Sequence, residues 1–157
     1  MIKDKVRKFL EHREFVSVAT SDLCSRPNAA PKFVLKTDRD CIYLVDYSIS
    51  RTWQNLRINP RASLSFMDTD NLVGYHINGF VEIIDKGPSY EEMSEEFNKK
   101  ELALSSKRIV EAVTTGKRHR AFEVGSLKKK FRIYKIKIQE VVEIGPEGNL
   151  EREVIKE

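Results

Sequence analysis

About six short runs rich in β-branched and aromatic residues, joined mostly by brief connections, constrain this chain more than any other feature. They fall at 15–20, 28–36, 41–46, 61–68, 73–85 and 131–144. Short connections require antiparallel neighbours, because a parallel pair needs a long crossover. Antiparallel strands this short and numerous favour a small closed or half-closed barrel, since closure removes exposed edges. The expectation is therefore a mainly β chain with added helices, an α+β chain whose six antiparallel strands form a small closed or half-closed β-barrel.

Local signals refine this plan. Ile2, Val6, Phe9 and Leu10 share one face of a helix of about three turns. Pro31 denies the second strand one ladder hydrogen bond, which places it at an edge, a bulge or the strand's start. Thr69-Asp70-Asn71 reads as a hairpin turn. Gly74 and Gly79 mark a bulge, a corner or a close approach in the strand that follows. Pro88 opens a charged helical insert, about 88–116, before the last strand. Within it, Leu102, Leu104, Ile109, Val110 and Val113 suggest a second helix, stopped by Gly116. After Gly145-Pro146-Glu147-Gly148 the chain ends as a polar tail or short edge strand.

The 157 residues make one domain. A chain of this size buries about 68–70% of its unfolded surface, enough for one core. The net charge of +4 gathers late, in Lys117-Arg118-His119-Arg120 and Lys128-Lys129-Lys130. A solvated face explains such clusters more readily than a nucleic-acid groove. Phe33, Tyr43 and Tyr47 beside lysines would be the stacking residues of that less favoured reading. Cys24 and Cys41 form no Cys-x-x-Cys pair, and His12, His76 and His119 are scattered, so no metal or haem ligand set is visible. No apolar run reaches the length of a membrane span and no signal-peptide core follows Met1. A cytoplasmic location is expected.

The chemistry concentrates at Ser50-Arg51-Thr52, which follows the strand at 41–46 and opens a short helix ending before Asn59-Pro60. The first turn of a helix presents unpaired N–H groups and the positive end of its dipole, so this turn can bind an anion.

With these pieces in order, the chain resembles the FMN-binding split-barrel proteins, the group that includes pyridoxamine 5'-phosphate oxidase. The likeness rests on Pro31-Lys32-Phe33-Val34-Leu35-Lys36, on Ile42 to Tyr47, on Ser50-Arg51-Thr52 with Asn55-Leu56 and Asn59-Pro60-Arg61, and on Tyr75 to Glu82. It implies that Ser50, Arg51 and Thr52 hold the flavin phosphate. It matches Lys32, Phe33 and Val34 to the residues whose backbone lines the flavin ring, and Val45 and Asp46 to the strand beside the ribityl chain. Asn55 either reaches the ligand or braces the loop, and Trp53 is a dimer or lid aromatic.

The resemblance further implies a homodimer with flavin at the interface, and an FMN-dependent oxidoreductase acting on a small-molecule substrate or redox partner. A flavin-binding carrier or sensor, and an F420-binding relative, are the alternatives. Two departures stand out. Thr52 occupies a position where many relatives have lysine. The end of the chain also lacks the Trp-, Arg- and Pro-rich segment of true pyridoxamine phosphate oxidases, so vitamin B6 oxidation is not expected.

Overall fold

The computed structural model describes residues 4–47, 49–116 and 131–155. The late basic clusters and Ile2 lie outside the described residues. The elements run α1 (Asp4–Glu11), β1 (Phe15–Ser21), β2 (Pro27–Thr37), β3 (Cys41–Asp46), α2 (Arg51–Leu56), β4 (Arg61–Asp68), β5 (Val73–Ile84), α3 (Pro88–Thr115), β6 (Arg132–Ile144) and β7 (Leu150–Val154).

All strand pairs are antiparallel, in the order β3-β2-β1-β4-β5-β6-β7, and β3 also pairs with β6. That last pairing closes a six-stranded barrel. One edge of β6 serves two strands: Arg132 to Lys137 face β3, while Glu140 to Ile144 face β7. The chain's end is thus an edge strand appended to the barrel.

Alternation along the strands builds two cores. Inward side chains such as Val18, Val34, Leu44, Leu64, Ile77 and Ile136 fill the barrel, and Val6 and Leu10 of α1 join them. Outward side chains of β2, β3 and β6 form a second cluster, Phe33, Leu35, Tyr43, Val45 and Ile133, beneath Phe97 of α3. Covered on both faces, β3 is buried from Ile42 to Asp46. Phe97 is fully buried, which contributes roughly 1.5–3 kcal/mol to docking the helix.

One expectation changes. The insert is one 28-residue helix rather than two. No Pro or Gly lies between Pro88 and Gly116 to break it, so the ladder runs on while the apolar stripe drifts. Phe33 and Val45 pack outward, under α3. Phe33 and Tyr43 are consequently buried and offer no face to a nucleic-acid base.

Gly79 faces a bulge at Gln139 of β6 and is itself a close approach. The β5–β6 register shifts between Asn78 and Gly79, and a Cβ there would lie 2.6 Å from Ile136 Cγ2 and 2.7 Å from the Lys137 carbonyl oxygen. Pro31 sits in the half of β2 that pairs with β1 alone, before the β3 pairing starts at Phe33.

Candidate functional site

The site lies where β3 ends, α2 begins and β6 enters the barrel. Ser50 is the N-cap of α2: its extended backbone (φ −92°, ψ 167°) directs its oxygen to accept from Trp53 N–H at 3.3 Å. Its own hydroxyl donates to Asp46 Oδ2 at 2.5 Å. The Tyr134 hydroxyl donates to the same Asp46 oxygen at 2.8 Å. Lys32 Nζ lies 2.9 Å from the other, Oδ1. Asp46 is therefore a buried carboxylate with a cation and two hydroxyls around it, which is what a charge held away from water requires.

Burial first, and then the neighbouring Asp46 charge, hold the Tyr134 hydroxyl well above the ordinary phenol range. Tyr134 thus stays protonated and remains a donor. The network links three elements distant in sequence, with Asp46 and Tyr134 separated by 88 positions.

The residues singled out from the sequence fall into three groups. Lys32, Asp46 and Ser50 form the network just described, and Arg51 is exposed at the first position of α2. Thr52 and Asn55 turn inward. Thr52 Oγ1 accepts from Asn28 Nδ2 at 3.1 Å, and Asn55 Nδ2 donates to Thr20 Oγ1 at 3.1 Å. Both side chains thereby brace α2 against β1 and β2, and Asn59 adds a bond to Ser21. Phe33, Val34 and Val45 bury their side chains in the two cores, which leaves their backbone as what they can present.

That backbone is itself held. The β2–β3 ladder shifts register between Val34 and Lys36, and Lys100 Nζ on α3 donates to the freed carbonyls of Val34 and Leu35 at 2.8 and 2.9 Å. Half-burial lowers the Lys100 pKa. Lys36 and Glu96 tie the same helix to β2 through a 2.6 Å ion pair.

Tyr134, Lys100 and Arg132 carry no local signal in the sequence. Tyr134 is visible there only as one apolar position in an alternating strand. Its partnership with Asp46 depends on the β3–β6 register, which nothing nearby in the chain encodes. Trp53 packs against the barrel core, with Arg57 Cζ 4.8 Å and Arg132 Cζ 4.5 Å from its ring centre. His76 bonds Ser63 on the neighbouring strand. Among the described residues no group of three or more His, Cys, Asp or Glu could hold a metal, and no helix is long and apolar enough to cross a membrane.

The sequence profile of the family described as pyridoxamine 5'-phosphate oxidase matches residues 2–145. The chain belongs to the pyridoxamine 5'-phosphate oxidase-like family. No curated protein matches it. Within the solved structures, this family member superposes on a protein from Clostridium acetobutylicum related to general stress protein 26 of B. subtilis (pyridoxinephosphate oxidase family). The TM-score is 0.69 at 15% identity, covering 97% of this chain and 93% of that one. A pyridoxamine 5'-phosphate oxidase-related, FMN-binding protein from Nostoc punctiforme gives 0.55 at 12%, covering 96% and 92%. An F420 reductase gives 0.54 at 15%, covering 86% and 94%. A heme binding protein from Mycobacterium smegmatis gives 0.61 at 14%, covering 98% and 60%. The pyridoxamine 5'-phosphate oxidase-like fold is thus shared by proteins named for different ligands, and the ligand of this chain follows from its own side chains.

Proposed function

We propose that this chain binds FMN and passes electrons from a reduced nicotinamide to a small acceptor. The observation that carries the reading is the exposed Arg51 following the buried Asp46–Ser50 cap. A doubly charged phosphate there would gain a guanidinium and the free N–H groups of the first helical turn. The donor set fits such a group. Lys32 already neutralises Asp46, so the nearby carboxylate does not oppose an incoming anion.

Bound FMN would supply hydride and electron transfer; the protein's part is orientation, hydrogen bonding and access. Ser50, Arg51 and the backbone of Thr52 would anchor the phosphate. The backbone of Lys32, Phe33 and Val34 would border the ring, kept in shape by Lys100. Asp46 and Val45 would flank the ribityl chain. Asn55 acts indirectly, by fixing α2 to β1.

A homodimer with the flavin between protomers belongs to the same reading. Two cross-strand rows, Pro31–Ser17–Ser65 and Ala29–Ala19–Ser63, line an outer face without Lys, Arg, Asp or Glu in a chain that is 33% charged. A second copy fits such a face. Light scattering on the purified protein that gives a monomer mass would remove this part.

The test of the whole is an absorption spectrum after incubation with FMN and removal of excess. A retained yellow chromophore with raised thermal stability is expected; colourless protein with no thermal shift overturns the proposal. Bleaching of the bound flavin by NADH or NADPH separates an oxidoreductase from a carrier or sensor. The F420 reductase neighbour supports a second reading, that F420 takes the place of FMN. Tighter binding of F420 than of FMN would decide for it.

A further inference from the structure

We infer that Arg132, the first residue of β6, is a second cation for the anionic headgroup and supplies the charge that Thr52 does not. This rests on the reading that a flavin phosphate docks at residues 50–52.

Arg132 is short of partners. It pairs in register with Asp46 on β3, which is where a cross-strand ion pair would ordinarily form. Asp46 bonds other groups instead. Its oxygens meet Lys32, Ser50 and Tyr134, and no ion pair with Arg132 forms. The Arg132 guanidinium lies instead over the Trp53 ring, at 4.5 Å. Its Nε is buried and has no hydrogen-bond partner among the described residues. A buried donor on a charged group left without an acceptor is costly, and an acceptor brought by a ligand removes that cost.

Arg132 is also placed close to the phosphate turn. Trp53 N–H is bonded to Ser50 Oγ, so the ring that carries Arg132 stands within one helical turn of residues 50–52. Arg132 and Tyr134 are two residues apart on β6, on the same face, and Tyr134 touches the same carboxylate as Ser50. Arg57 lies 4.8 Å from the same Trp53 ring. Among the described residues none of Arg51, Arg57 and Arg132 has a carboxylate partner. The two guanidiniums on the Trp53 ring, Arg57 and Arg132, repel one another, and an anion offsets that repulsion. Thr52, by contrast, spends its hydroxyl on Asn28 inside the fold. A planar guanidinium also suits bidentate phosphate contact better than a lysine would.

The experiment compares FMN with riboflavin, which has the same ring and ribityl chain but no phosphate. Affinities are measured by flavin fluorescence quenching for the wild type, Arg132→Gln and Arg132→Lys, with melting temperatures recorded. Arg132→Gln is expected to lose at least about tenfold in FMN affinity with riboflavin affinity unchanged, and Arg132→Lys to fall between. An unchanged FMN-to-riboflavin ratio in Arg132→Gln overturns the role of Arg132 while the phosphate reading stands. A wild type that binds riboflavin as tightly as FMN overturns the phosphate reading itself, and the role of Arg132 with it. A variant that loses both flavins equally assigns Arg132 to structure alone and also overturns the inference. Should Arg132→Gln fail to fold, Arg132→Lys carries the same test.

Discussion

Lys32 Nζ and Asp46 Oδ1 meet at 2.9 Å with both side chains about 95% buried, on strands that are neighbours in the barrel wall. Few charged pairs are sequestered so fully, and desolvating each ion costs several kcal/mol. The pair is sustained because the remaining Asp46 oxygen accepts from Ser50 and Tyr134. Its effect is to place a carboxylate next to the α2 cap without leaving a net negative charge at the start of that helix.

Removing one partner should therefore be severe. Lys32→Met is expected to lower unfolding free energy by about 3–5 kcal/mol, because Asp46 is left charged and buried without its cation. The double variant Lys32→Met with Asp46→Asn should lose less than the sum of the singles, since no unpaired charge remains. Urea unfolding of the four proteins checks this. A Lys32→Met variant as stable as the wild type would show that the pair is not formed.

Gly79 yields a steric prediction. Its missing side chain admits Ile136 Cγ2 and the Lys137 carbonyl, which a methyl group would meet at 2.6 and 2.7 Å. Gly79→Ala should cost about 1–3 kcal/mol or more, through overpacking against backbone that cannot give way. Gly74→Ala is the control: its nearest contact would be an ordinary 3.6 Å to Ile144. Thermal melts that rank the two variants the other way would refute this account of the close approach at Gly79.

Lys32–Asp46 and Gly79 also show how far the sequence is readable. Strand β3 announces itself by its apolar run, β4 by alternation, and the helix between them by the Ser50 cap and the Asn59-Pro60 stop. Gly79 stands out for the same local reason. What stays hidden is long-range. Nothing near Asp46 signals that Tyr134 and Arg132 will lie beside it, because that follows from barrel closure between β3 and β6. The apolar runs around Phe33 and Val45 show burial, but not which side of the wall each residue faces. The outer cover, α3, reads as two helices because its stripe changes from Phe97 to the Leu102–Val113 set, although its backbone carries no break.

The attachment of α3 should depend on pH in a defined direction. Its hydrogen bond to Glu96 holds the Lys36 pKa above the ordinary lysine value of 10.5, against some loss from burial. The folded chain therefore keeps this proton where the unfolded chain has begun to lose it. The stabilisation is fully present below 10.5 and is lost as pH rises through the folded value. The stability difference between wild type and Lys36→Met should thus be constant through neutral pH and shrink in strongly alkaline solution. Denaturant unfolding of both proteins across that range measures it. A gap that widens with alkali would contradict this sign.

Arg51 offers the most direct test of the candidate site. It is exposed, has no carboxylate partner among the described residues, and follows the Ser50 cap. Its removal should leave the fold intact, with a change in stability within about 0.5 kcal/mol, as for a surface position making no special contact. Binding should respond very differently. A charge-assisted hydrogen bond is worth about 1.5–3 kcal/mol, so Arg51→Ala should weaken FMN retention by an order of magnitude or more. Part of that loss should disappear at high salt, where the wild type also loses the screened share of its attraction. Titrating both proteins with FMN at low and high ionic strength gives the four affinities required. Equal affinity of variant and wild type at low salt would mean that the phosphate docks elsewhere, or that the bound anion is held by the backbone alone.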